Sequence, residues 1–107
     1  MSFFSFGTKA ETDLSAEDFK AKMDADPKAE LLDVRTAGEF AEGAIENAKN
    51  IDFFSSNFRA QMENLPQDKT YYVYCRSGNR SGQAVKFLKN LGRTAYNLDG
   101  GIMSWPY

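Results

Sequence analysis

The chain has 107 residues, of which 42% are hydrophobic and 14% aromatic, which suffices for one domain that closes a core without staples. Thirteen basic and fifteen acidic residues are interspersed at a net charge of -2, which excludes a nucleic-acid stripe and a polybasic membrane anchor. A single cysteine and no histidine exclude an internal disulfide and the usual zinc ligand sets, so neither metal nor cofactor is expected.

The apolar start, Met1 to Gly7, lacks a basic region, a long apolar stretch and a small-residue cleavage pattern, so it does not read as a signal peptide and the expected location is cytoplasmic. Phe3, Phe4 and Phe6 are expected to pack on the core; the alternatives are cover for a sheet edge or a dimer contact, giving a monomer or weak homodimer. Residues 1–12 are read as an N-terminal extension and 13–107 as a single domain. Ser15, with Asp18 three positions on, predicts a helix starting at Ala16 and ending before Pro27. Ala29 to Val34 predicts a strand, and Arg35 to Glu42 a loop leading into a short helix closed near Gly43. Ala48 to Asp52 predicts a brief strand. Phe58, Met62 and Leu65 recur at helical spacing before Pro66.

Thr70 to Tyr74 is a β-prone run that ends on the lone thiol, Cys75. The polar stretch Arg76-Ser77-Gly78-Asn79-Arg80-Ser81 follows. Ser81, Ala84, Val85, Leu88 and Leu91 then keep a helical period, with Gly92 at the position of a left-handed cap. Thr94 to Leu98 predicts the last strand, Asp99-Gly100-Gly101 a turn, and Ile102 to Trp105 a short closing helix. Alternation of strands and helices predicts an α/β domain with a largely parallel sheet, and places Cys75 at a strand's carboxyl end, where such sheets bind ligands.

A lone cysteine after an apolar strand is ordinarily a buried hydrophobe. Two arginines beside it argue otherwise, because unpaired guanidiniums are costly to bury and useful at an anion site. The N–H groups of a tight loop and of a helix's first turn favour negative charge, and so a thiolate. Hydrolysis by a serine or cysteine needs a positioned base such as histidine, which the chain lacks; sulfur transfer through a preformed thiolate does not.

Three segments together resemble the single-domain rhodanese-like sulfurtransferases over residues 13 to 105. The first is Leu31-Leu-Asp-Val-Arg35 with Glu39-Phe40, Gly43-Ala-Ile45, Ala48 and Asn50-Ile51; the second is Cys75 to Ser81; the third is Leu98-Asp-Gly-Gly101 with Trp105. The resemblance implies a three-layer sandwich with a central, mainly parallel five-stranded sheet and helices on both faces. It implies transfer of a sulfane sulfur from thiosulfate or a related small donor to a thiol or cyanide through a Cys75 persulfide, a small dithiol protein being one acceptor of that kind. Arg76 and Arg80 are the expected holders of the donor's sulfonate end, with Ser77, Gly78, Asn79 and Ser81 supplying N–H groups and loop shape. Asp33, Arg35 and Glu39 are expected to support the site, with Glu39 as the acidic partner of Arg35. Ala44 and Glu46 stand where relatives commonly have histidine and proline, and the chain ends at Tyr107, soon after Trp105. A persulfide-sensing or protein-binding module with little turnover is the alternative. A phosphatase or arsenate reductase is disfavoured, because that related pattern has arginine six positions after its cysteine and here Arg80 is five after Cys75.

Overall fold

The computed structural model describes residues 10–107. The phenylalanines of the first six residues lie outside this range. In chain order the elements are β1 (Asp13–Leu14), α1 (Ala16–Asp24), β2 (Ala29–Asp33), α2 (Ala37–Glu42), β3 (Lys49–Asn50), α3 (Phe58–Glu63), β4 (Thr70–Tyr74), α4 (Asn79–Asn90), β5 (Thr94–Leu98) and a closing 3-10 turn, Gly101–Ser104. The five strands form one sheet in the order β1-β5-β4-β2-β3, and every pairing is parallel rather than mainly so.

Alternation along β4 divides the core into two layers. Tyr71 and Val73 join a cluster with Met62, Ala84, Val85 and Leu88, so α3 and α4 cover that face. Tyr72 and Tyr74 join the other with Phe19, Ile45 and Leu98, against which Ile102 and Trp105 pack. Each fully buried Leu or Phe in these clusters stabilises the fold by about 1.5–3 kcal/mol. Among the described residues, no helix is long and apolar enough to cross a membrane.

The helix predicted from Ser15 begins at Ala16, and the Ser15 Oγ accepts the Asp18 N–H at 3.1 Å. Asp18 makes no return bond, its carboxylate being one methylene shorter than that of the usual Glu. A reciprocal box forms instead at α2, between Thr36 and Glu39. The strand predicted over 48–52 shrinks to two residues, and β1, also two residues, has too short a run to show any period. The largest shift is at α4, which starts at Asn79 rather than near Ser81: Gly78, at φ 105°, turns the chain directly into the helix. Only Arg76, Ser77 and Gly78 then separate Cys75 from α4. Gly92 takes the expected left-handed conformation at the helix end, φ 84°.

From β2 the chain moves outward to β3, and from β4 it turns the other way to β5. Between the carboxyl ends of β2 and β4 the two exits diverge, which opens a crevice. Cys75 follows β4 at that crevice.

Candidate active site

Cys75 is buried, and its sulfur is ringed by donors. The Gly78 N–H donates to Sγ at 3.1 Å, the Ser81 N–H at 3.4 Å and the Ser81 hydroxyl at 3.3 Å. Burial pushes the thiol's pKa up, and the bonds from the Ser81 hydroxyl and the Ser81, Gly78 and Ser77 N–H groups outweigh it, so the net direction is below the ordinary thiol value. The first turn of α4 adds its unpaired N–H groups to the same end of the helix.

The ring keeps its shape because the loop's carbonyls are occupied elsewhere. Cys75 and Arg76 carbonyls accept the Ile102 and Met103 N–H groups at 2.9 and 3.2 Å, and the Gly78 carbonyl accepts the Asn97 amide at 3.2 Å. Asn97 also donates to Asp13 at 2.9 Å, linking the edge strand to the loop. With carbonyls turned outward, the N–H groups face the sulfur.

Ser81 should therefore be read in the pH profile of the thiol. Ser81→Ala removes the hydroxyl bond while keeping the N–H, so the inflection in the iodoacetamide alkylation rate is expected to move to higher pH than in the unsubstituted protein. An unchanged inflection would show that the backbone ring alone sets the thiolate.

On the β2 side of the loop stand two ion pairs. Arg35 grips Asp33 through Nε (3.0 and 3.1 Å) and Nη2 (2.7 Å), and Nη2 also reaches the Gly43 carbonyl at 2.6 Å. Asp33 and Arg35 are both buried, and the Asn50 amide bonds the carbonyls of Asp33 and Arg35 at 3.0 and 2.9 Å. Tyr74, opposite Asp33 in the sheet, accepts the Ile45 N–H with its hydroxyl at 3.0 Å. Glu39 is engaged elsewhere: it takes both terminal nitrogens of Arg80, at 2.8 and 3.1 Å, while Oε1 accepts the Thr36 N–H at 3.0 Å. The Arg80 guanidinium and the Thr36 N–H together hold the Glu39 carboxyl down, from 4.5 to about 2. A lowered carboxylate pKa adds stability that is complete above the ordinary glutamate range and is lost as pH falls through about 2. The stability gap between wild type and Glu39→Gln is thus expected to hold steady above pH 5 and to close on acidification, as read by urea melts across that range. A gap that persists to pH 2 would mean the pair is not its source.

The comparisons with known proteins agree with this geometry. The model of the rhodanese-like domain matches residues 15–106. The chain belongs to the rhodanese-like family. It is 39% identical over 93 residues to YtwF of Bacillus subtilis (strain 168), a protein with a provisional sulfurtransferase name, covering 87% of this chain and 88% of YtwF. A sulfurtransferase of Allochromatium vinosum is 40% identical over 76 residues, covering 70% and 69% of the two chains. The crystal structure of a rhodanese-related protein from Thermoplasma volcanium superimposes with a TM-score of 0.76 at 38% identity, covering 87% of this chain and 88% of that one. At the level of the family, the supported activity is sulfur transfer.

Within the rhodanese-like site the structure brings Cys75, Gly78 and Ser81 together, with the Ser81 hydroxyl as a further contact. Arg76, Ser77 and Asn79 are exposed, and the Ser77 N–H still acts on the Cys75 sulfur. Two pairings differ from expectation. The acidic partner of Arg35 is Asp33, two residues away on the same strand end, because Glu39, at the third position of α2, is directed toward α4 instead. Consequently, of the two arginines expected at the donor, Arg80 has its fork occupied, and Arg76 is the one without a pairing among the described residues. Asn97 and Thr36 are supports that the sequence reading missed. Asn97 looks like an ordinary strand residue, whereas the Thr36-x-x-Glu39 spacing was available as a capping signal.

Proposed function

We propose that this protein moves sulfane sulfur through Cys75. The Sγ thiolate attacks the outer sulfur of thiosulfate; a new S–S bond forms, the donor's S–S bond breaks, and its electron pair leaves with sulfite. Cys75 then carries a persulfide anion, and the total charge is unchanged. A thiolate acceptor, or cyanide in an assay, takes the terminal sulfur and returns the Cys75 thiolate.

The observation that carries this reading is the ring of Gly78 and Ser81 donors on a lone thiol whose pKa those bonds lower against the effect of burial. The ring can hold a thiolate and, after transfer, the persulfide that replaces it. No proton has to be abstracted, which suits a chain without histidine. A reducing compartment such as the cytoplasm, which keeps a lone thiol unpaired, matches this chemistry.

The test is a side-by-side assay of purified protein with thiosulfate plus cyanide or a dithiol, and with a phosphomonoester. Sulfite release that depends on the acceptor, with negligible phosphate release, is expected. Phosphate release faster than sulfur transfer would overturn the reading.

A further inference from the structure

The pairing of Glu39 with Arg80 bears directly on which sulfur donors the Cys75 loop prefers. Arg80 lies in the first turn of α4, one residue before Ser81, close enough that the Cys75 charge raises its pKa. Its position makes it the natural second clamp for a donor's oxyanion end. Instead both terminal nitrogens bond the two Glu39 oxygens, a fork-to-fork geometry that compensates the guanidinium charge and takes up its end-on pair of N–H donors. Glu39 is itself pinned, because Oε1 also accepts from the Thr36 N–H at 3.0 Å and hydroxyl at 3.2 Å. The pair is only partly exposed, with side-chain accessibilities of 19% for Arg80 and 25% for Glu39, so solvent screens it incompletely. Of the loop's two cations, Arg76 alone is without an ion-pair partner among the described residues.

We propose that Glu39 is a specificity-determining residue that withholds Arg80 from the donor and so biases the site against dianionic donors such as thiosulfate, in favour of donors with a single negative charge. A thiosulfonate is such a donor: the thiolate attacks its outer sulfur, the S–S bond breaks, and a sulfinate leaves with the electron pair. This inference rests on Cys75 as the sulfur carrier. Coulomb attraction scales with the donor's charge, so releasing one cation changes the binding free energy of a dianion about twice as much as that of a monoanion.

The experiment compares thiosulfate with an arylthiosulfonate in wild type, Glu39→Gln, Arg80→Gln and the double variant. In Glu39→Gln the amide oxygen can still accept from Thr36, and Arg80 is released. Its KM for thiosulfate is expected to fall about tenfold and its KM for the thiosulfonate about threefold. Arg80→Gln leaves Glu39 uncompensated and should raise the thiosulfate KM. The double variant, which removes a pair of no net charge, should return both KM values to within about twofold of wild type. It also guards against misfolding, since neither partner is left as an unpaired charge.

Equal or upward shifts of both KM values in Glu39→Gln, or a double variant as impaired as Arg80→Gln, would overturn the proposal. Protection of Cys75 from alkylation by sulfate and by methanesulfonate, inert anions of charge two and one, measures the same preference without turnover. The underlying reading fails separately, by the absence of any sulfur adduct on Cys75 with either donor, and in that case the protection ratios still decide the role of Glu39.

Discussion

Cys75→Ser is expected to lose sulfur transfer by more than about a thousandfold while the protein stays folded. The sulfur sits in a buried ring whose three closest donors, the Gly78 N–H, the Ser81 N–H and the Ser81 hydroxyl, can all bond a serine oxygen in its place. Neither burial nor hydrogen bonding is forfeited, so the change in stability should stay within about 1 kcal/mol. What is lost is the nucleophile. A serine hydroxyl is not ionised at neutral pH, and no histidine is present to take its proton. Turnover with thiosulfate and cyanide, together with a thermal melt, checks both halves. Retained turnover would move the chemistry away from Cys75, and a collapsed melt would show that the thiol's main role is packing.

The second large effect is expected at Gly101, which makes no contact with Sγ. Its φ is 65°, and an added Cβ would overlap the carbonyl group of Arg76 and lie 2.6 Å from the Ser77 nitrogen. The obstruction is backbone, so no side chain can turn aside. Either the closing turn moves, breaking the Ile102 and Met103 bonds to the Cys75 and Arg76 carbonyls, or the loop rotates and its N–H groups leave the sulfur. Gly101→Ala is therefore expected to cost about 3 kcal/mol, from left-handed strain and overpacking together. The Cys75 pKa should rise in the same variant. Urea denaturation and the pH profile of alkylation measure the two effects. A variant with unchanged stability and an unchanged profile would contradict the role assigned to the closing turn.

Legibility in the sequence followed the length and one-sidedness of each pattern. In β4 and α4, five and twelve residues long, one period repeats often enough to show, and Ser81, Ala84, Val85 and Leu88 are buried as that period requires. β1 has two residues and is held by pairing with β5, 84 positions away, which no local pattern reports. Cys75 stood out as the candidate nucleophile because two arginines and a glycine follow it in one short loop, a combination suited to an anion. The wiring around it did not. Arg35 had two carboxylates within reach in sequence, Asp33 and Glu39. The choice was made by Arg80, 41 residues from Glu39, which approaches only once α2 and α4 stand on either side of the crevice. Asn97 could not be singled out for a similar reason: its bonds to Asp13 and Gly78 join three elements that are distant in the chain.

The central claim is that Cys75 carries sulfur, and the mass of the intact protein tests it most directly. After incubation with thiosulfate and removal of excess donor, a gain of one sulfur atom is expected, located on Cys75, lost on treatment with a dithiol and absent from Cys75→Ser. No gain in the wild-type protein, or the same gain in Cys75→Ser, would contradict the account.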